Sequence, residues 1–205
     1  MHFSGNEVVS GPDWDSYYRV VEGDRPAPRL VEACTYVPTR DERFATDCGC
    51  GIGADAMYLL EQGFTVHAFD VNDTAVERLT KRAGNHPRLH VTQSSFETYD
   101  YPSSDLVRAG ASLFFCKPRA FDDVWARMSD SLEPGGIFCG DFLGVEDSWR
   151  ESAEFEVCCL SEEKLEGMLE DFEVLRWNER NEDGKTAVGT LKHWHIYSVT
   201  ARKSA

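Results

Sequence analysis

Apolar positions along the chain change period several times, and each change marks an element. Leu30, Val31, Cys34 and Val37 fall on one helical face, which Pro38 ends. Residues 43–47 read as a short strand and run into the turn Cys48-Gly49-Cys50-Gly51-Ile52-Gly53. From 54 to 61, Met57 and Leu60 stand at helical spacing, and Gly63 is placed to close that helix in a left-handed conformation. Residues 64–70 predict a second strand. Thr74-Ala75-Val76-Glu77 then has capping-box spacing and opens a helix with Ala75, Val76, Leu79 and Ala83 inward. Strand, turn, helix, strand and helix in that order are the βαβ unit of a parallel sheet.

The alternation continues with strands at 89–92 and 105–113. A helix entered at Pro118 carries Phe121, Val124, Trp125, Met128 and Leu132 on one face. After the turn Glu133-Pro134-Gly135-Gly136 comes a fifth strand at 137–143, then a helix capped by Ser161 with Leu165, Met168 and Leu169 inward. The tail has a different rhythm. Residues 172–180 and 190–201 predict two long strands, paired as an antiparallel hairpin around Asp183-Gly184. Residues 1–27 hold Trp14, Tyr17 and Tyr18 without a clean period. They are expected to form an arm or lid on a single domain whose core is 28–205.

Charge narrows the partners. Among 205 residues, 36 Asp and Glu face 21 Lys and Arg, for a net charge of −15. That balance counts against gripping nucleic-acid phosphates or an anionic lipid surface. Eleven of the acids fall between 146 and 173 against only Arg150 and Lys164, which reads as a solvated face. No apolar run is long enough to span a membrane, and Met1 to Glu7 lacks the pattern of a secretory leader, so a cytoplasmic protein is expected. Seven cysteines cannot all pair within one chain. Cys48-x-Cys50 and Cys158-Cys159 lack the spacing of metal-ligand pairs, so free, mostly buried thiols and no metal are expected.

The glycine turn carries the chemistry. A mononucleotide-binding half needs a turn that lets a ligand approach the backbone, a helix N-terminus behind it, and an acid ending the second strand for ribose hydroxyls. Gly49, Gly51 and Gly53, the helix from Ala54, and Asp70 supply all three. The third glycine stands one residue earlier than in G-x-G-x-x-G, although Ala54 leaves the G-x-G-x-x-A variant open. Asp47 argues against a dinucleotide, because its carboxylate would repel a pyrophosphate and attract an ammonium. S-adenosylmethionine combines a ribose with a cationic amino group and carries no phosphate.

Asp47-Cys48-Gly49-Cys50-Gly51-Ile52-Gly53 resembles motif I of class I S-adenosylmethionine-dependent methyltransferases. The resemblance covers roughly residues 14–203. Trp14-Asp15-x-x-Tyr18, Phe114-Phe115-Cys116-Lys117-Pro118, Leu132-x-Pro134-Gly135-Gly136, Asp147-Ser148-Trp149 and His193-Trp194-His195 resemble a bacterial small-molecule branch related to tellurite-resistance methyltransferases. It implies a Rossmann-like α/β fold: a seven-stranded, mostly parallel sheet with an antiparallel C-terminal strand and helices on both faces. It further implies that Gly49 and Gly51, with Cys50 between them, line the methionine part, while Asp70 clasps the ribose. Val71 would pack on adenine, Ser95 and Phe96 would edge the base, and Ala109 to Ser112 would face the methyl donor. Cys48 stands where Leu is usual, and Ser94-Ser95 where many relatives have an acid.

Methyl transfer from a sulfonium is an in-line displacement, for which alignment alone supplies about 7–11 kcal/mol and no fixed acid or base is required. A base matters where the acceptor is protonated, and Tyr18, His193 and His195 are the candidates, the two histidines sharing one strand face. Trp14, Tyr17, Arg25, Phe114, Phe115, Phe142 and Trp149 are candidate contacts for a small-molecule acceptor. The implied product is S-adenosylhomocysteine, and a monomer or homodimer is expected. Two other readings stand beside this one. A non-catalytic protein binding S-adenosylmethionine or another nucleotide is not separable from it in sequence. A nicotinamide-dependent oxidoreductase is opposed by Asp47, the Gly53 spacing and the terminal hairpin.

Overall fold

The computed structural model describes residues 13–23 and 25–204. Five parallel strands, β1 (Phe44–Cys48), β2 (Thr65–Asp70), β3 (Leu89–Gln93), β4 (Ser104–Ala109) and β5 (Leu132–Gly144), are joined through helices α3 (Ala54–Glu61), α4 (Asp73–Ala83) and α5 (Phe121–Ser131). Short helices α1 (Trp14–Val20) and α2 (Pro28–Cys34) precede them, and α6 (Glu162–Met168) follows. The last strands are β7 (Phe172–Lys185) and β8 (Leu191–Lys203). The sheet order is β3-β2-β1-β4-β5-β8-β7, with β8 antiparallel to both neighbours. This is the class I methyltransferase architecture expected from the sequence, with one strand more. The two-residue β6 (Cys159–Leu160) pairs with the end of β5, and two residues leave no period to read.

Alternation along the strands divides the core between two faces. Ala45, Val66, Ala68, Leu106, Ile137 and Cys139 pack with Leu30, Leu59, Leu60 and Leu79 of α2, α3 and α4. Val107, Phe138 and Phe142 point the other way, onto Val124, Trp125 and Met128 of α5 and Leu165 of α6. Each face buries its apolar residues against amphipathic helices, which is what stabilises a parallel sheet.

Some boundaries differ from the pattern. The hairpin does not turn at Asp183-Gly184: those residues stay in β7, opposite His193 and Lys192. The reversal lies at 186–190, where Thr186 N–H donates to Thr190 O and Gly189 supplies φ +87°. Helix α4 is capped two residues earlier than Thr74 would give, by Asn72, whose side chain accepts from Ala75 N–H at 3.1 Å. The fourth strand stops at Ala109, and a 3-10 turn occupies Leu113–Phe115. Pro118 opens a further 3-10 turn, with α5 beginning only at Phe121.

The chain runs outward from β1 to β3, then returns to place β4 on the other flank of β1. Parallel sheets bind ligands at such a reversal, beyond the carboxyl ends of the strands.

Candidate functional site

The glycine turn caps that reversal. Gly49, Gly51 and Gly53 all have positive φ (+67°, +51° and +86°), which favours glycine. Two also stand where no side chain fits. A Cβ on Gly49 would lie 2.5 Å from Ser112 Cβ, and one on Gly53 would lie 2.2 Å from Leu79 Cδ1. Asp70 at the end of β2 fixes the turn: one carboxylate oxygen accepts Gly51 N–H at 2.8 Å and the other Asn72 N–H at 2.9 Å. Burial raises its pKa against the pull of those amides. A carboxylate offers about four acceptor positions, so two remain for hydroxyls. Val71, next in the chain, is 64% exposed and presents an apolar surface beside it.

Asp47 is the other acid of the crevice. It is buried at the end of β1, and its Oδ2 has no hydrogen-bond partner. Burial, then the charge of Asp55, push its pKa up to about 8, against the opposing pull of Arg108. Arg108, its register neighbour on β4, is committed elsewhere: Nε donates to Asp55 at 2.8 Å and Nη1 to Cys139 O at 3.2 Å. Asp55 in turn accepts Ala27 N–H at 2.9 Å, just before α2. On β5, the buried Asp141 meets Arg29 of α2 at 2.6 Å and accepts from Ser198 and Ala111. The sequence reading missed this ionic layer. Its visible signal was a charged residue beside or within an apolar stretch in each of two strands, Arg108 after Leu106-Val107 and Asp141 among Ile137 to Leu143.

Helix α1, the described helix of the arm, lies over the turn. Tyr18 is 2% exposed and packs with Ile52 and Ala75, and its Cε1 would be 3.5 Å from a Cβ on Gly51. Burial and the nearby Asp70 raise its phenol pKa. Trp14 meets Phe115 edge to face at 5.1 Å, and Phe115 and Trp149 are 5.9 Å apart. Aromatic rings from the arm, the segment after β4 and the segment after β5 therefore converge beyond the ends of β4 and β5, with Tyr17 5.8 Å from Trp14. Trp149 is held from behind by the buried Lys192–Asp147 pair, the ammonium lying 3.7 Å from its ring centroid and 3.8 Å from that of Trp194.

The remaining residues singled out in sequence scatter. Cys50 turns its side chain into the α3 face of the core, leaving its backbone to the turn. Phe96 is buried against Phe69 and beneath Gly49, so it props the turn from below. Ser95 bonds Thr98 at 3.1 Å. Ala109 ends β4, and Ser112 Oγ donates to Cys48 O at 2.6 Å. Phe114 and Phe142 are core residues, 2% and 1% exposed, and it is Phe115 that faces the arm. Arg25 is exposed.

His193 bonds Asp183 and Asn181 on the hairpin. His195 is buried: Nδ1 accepts Glu146 N–H, and Nε2 lies 3.0 Å from both Glu179 and Tyr197. Both histidines thus serve the loop after β5 and the hairpin. All seven cysteines are free, and no metal-holding cluster of His, Cys, Asp or Glu occurs among the described residues. No described helix is long and apolar enough to cross a membrane. A cavity of about 580 Å³ opens beside Tyr101 and Leu132, but the Arg127 and Lys203 that line it are occupied by main-chain carbonyls.

Residues 45–136 match the family described as "Methyltransferase domain". No curated protein matches the sequence significantly. Among solved structures, TehB from Haemophilus influenzae is similar, with a TM-score of 0.75 and 16% identity over 93% of this chain and 66% of that one. The chain thus spans just under two thirds of that protein. The 1,6-didemethyltoxoflavin-N1-methyltransferase of Burkholderia thailandensis, solved with 1,6-didemethyltoxoflavin and S-adenosylhomocysteine, gives 0.64 and 21% over 93% and 85%. Magnesium protoporphyrin IX methyltransferase from Synechocystis PCC 6803, solved with S-adenosylmethionine, gives 0.67 and 11% over 95% and 93%. Residues 45–136 are thus similar to a methyltransferase domain, and the chain has the class I methyltransferase fold.

Proposed function

We propose that the protein transfers the methyl group of S-adenosylmethionine to a small-molecule acceptor. The observation that carries this reading is the buried, unpartnered oxygen of Asp47 beside a glycine turn held by Asp70. An unpaired buried carboxylate is costly, and a cationic ammonium is the group that relieves it. Asp70 keeps two acceptor positions for ribose hydroxyls, and exposed Val71 offers a surface for adenine. The S-adenosylmethionine-bound state of the Synechocystis protein and the S-adenosylhomocysteine-bound state of the Burkholderia protein, both of this fold, support the same cofactor.

When bound, S-adenosylmethionine supplies an activated methyl on its sulfonium, leaving S-adenosylhomocysteine after transfer. The chain's task is then to hold and align. The turn and the two acids bind the cofactor. Trp14, Tyr17, Phe115 and Trp149 wall the acceptor side and exclude water. Tyr18 closes the arm over Gly51, and Ala109 to Ser112 line the transfer side. None of these residues needs to move a proton, which suits an acceptor already deprotonated at the accepting atom.

A turnover screen with S-adenosylmethionine across thiols, amines, carboxylates and metalloid oxyanions tests the reading. Formation of S-adenosylhomocysteine dependent on one acceptor class supports it. Tight cofactor binding with no turnover on any class favours the non-catalytic binding protein instead.

A further inference from the structure

One buried charge outside the cofactor contacts reaches into the site through the backbone. Asp141 is 2% exposed in a strand segment otherwise made of Phe138, Cys139, Gly140, Phe142 and Leu143. The alternation of β5 turns it to the α2 face. Its Oδ1 forms an ion pair with Arg29 Nη1 at 2.6 Å and accepts Ser198 Oγ–H at 2.7 Å, and its Oδ2 accepts Ala111 N–H at 3.0 Å. Burial pushes its pKa up, but the contacts and charges of Arg29 and Arg108 outweigh this and hold the carboxyl below the usual carboxylate range. It is therefore an ionised acceptor at neutral pH.

The Ala111 bond is the consequential one. Ala111 has φ +49°, a conformation that side-chain-bearing residues seldom adopt and that persists only where the surroundings enforce it. The next residue, Ser112, seats against the glycine turn, its Oγ on Cys48 O and its Cβ in the space a Gly49 side chain would fill. Releasing Ala111 would let Ser112 swing away from Gly49.

We propose that Asp141 is a positioning residue: it holds the left-handed turn at Ala111 that docks Ser112 on the cofactor loop, and through Arg29 it ties that turn to α2. The proposal rests on the methyl-transfer reading of the site.

The test uses the full chain. S-adenosylhomocysteine affinity is measured by calorimetry and amide exchange at Ala111 and Ser112 by hydrogen–deuterium exchange, for the parent protein, Asp141→Asn, Asp141→Ala and Ala111→Gly, and for Asp141→Ala combined with Ala111→Gly. Glycine adopts positive φ without strain, so it lowers the cost of the left-handed turn when the Asp141 bond is missing, and it does not restore the charge. We expect Asp141→Ala to weaken binding at least tenfold and to speed exchange at Ala111 and Ser112 beyond any global change. Measured against Ala111→Gly alone, the double variant should recover at least half the loss on a logarithmic scale. Arg29→Met, which removes the ion pair but leaves both hydrogen-bond donors, should cost less than threefold.

Binding within twofold of the parent in Asp141→Ala would overturn the proposal. So would a double variant no better than Asp141→Ala. Where Asp141→Ala does not fold, Asp141→Asn must show the exchange increase at Ala111 and Ser112, and its absence overturns the proposal. A parent protein that binds no S-adenosylhomocysteine sinks the methyl-transfer reading, while the exchange data still decide whether Asp141 holds the turn.

Discussion

On the β1–β2 side of the crevice the proposed cofactor site is the glycine turn of one seven-residue segment, 47–53, with the carboxylates of Asp47 and Asp70 and the exposed Val71. On the β4–β5 side they are side chains gathered from α1, from the segment after β4 and from the segment after β5, with the hairpin behind them. A main-chain site depends on φ angles and close approach, so few residue types satisfy it. A wall of rings depends on shape and burial, which many sequences meet. One side can therefore stay fixed while the other is free to vary with the acceptor.

The sharpest way to break this contrast is to put a side chain on the turn. Gly49→Ala forces a residue with φ +67° to place its Cβ 2.5 Å from Ser112. It should cost about 2–4 kcal/mol of stability, combining backbone strain with overpacking, and remove cofactor binding; thermal unfolding and calorimetry check both. Asp70→Ala should weaken S-adenosylhomocysteine binding by about 1.5–3 kcal/mol, as for lost bonds to a charged acceptor, and unchanged affinity would remove Asp70 from the site.

Asp47 provides the pH test. Its folded pKa, raised to about 8, means the folded state keeps a proton that the unfolded chain releases near the ordinary aspartate value of 3.8. The folded state thus binds more protons between those values, so this group makes stability fall as pH rises through that window and level off above it. Asp47→Asn should accordingly stabilise the ligand-free protein at pH 8 by about 1–2 kcal/mol while weakening S-adenosylmethionine binding. Binding of the cation by the ionised form should release a proton near pH 7. Calorimetric enthalpies in buffers of different ionisation heat should therefore diverge at pH 7 and converge above pH 9. The smallest effect belongs to the far side: His193→Ala, on the exposed hairpin, should change cofactor affinity and stability by no more than about 0.5 kcal/mol.

The same contrast explains what could be read in the sequence. Gly49, Gly51, Gly53, Asp70 and the succession of five strands along the chain were legible because each is a local rule: positive φ, a cap, an alternation of two. The hairpin reversal was misplaced because Asp183-Gly184 carries a turn signature, yet pairing with Lys192 and His193 keeps it in a strand. Phe114 and Phe115 were indistinguishable by type, and only the 3-10 turn after β4 decides which faces the arm. Arg108 with Asp55, and Asp141 with Arg29, join residues 53 and 112 positions apart, a distance across which no spacing rule operates.

The central claim is the identity of the bound cofactor, and calorimetry of the purified chain with S-adenosylmethionine, S-adenosylhomocysteine and NAD tests it most directly. The account predicts saturable binding of the first two, lost in Gly49→Ala and weakened in Asp70→Ala, with no heat from NAD. Tight binding of NAD with no response to the other two would contradict it.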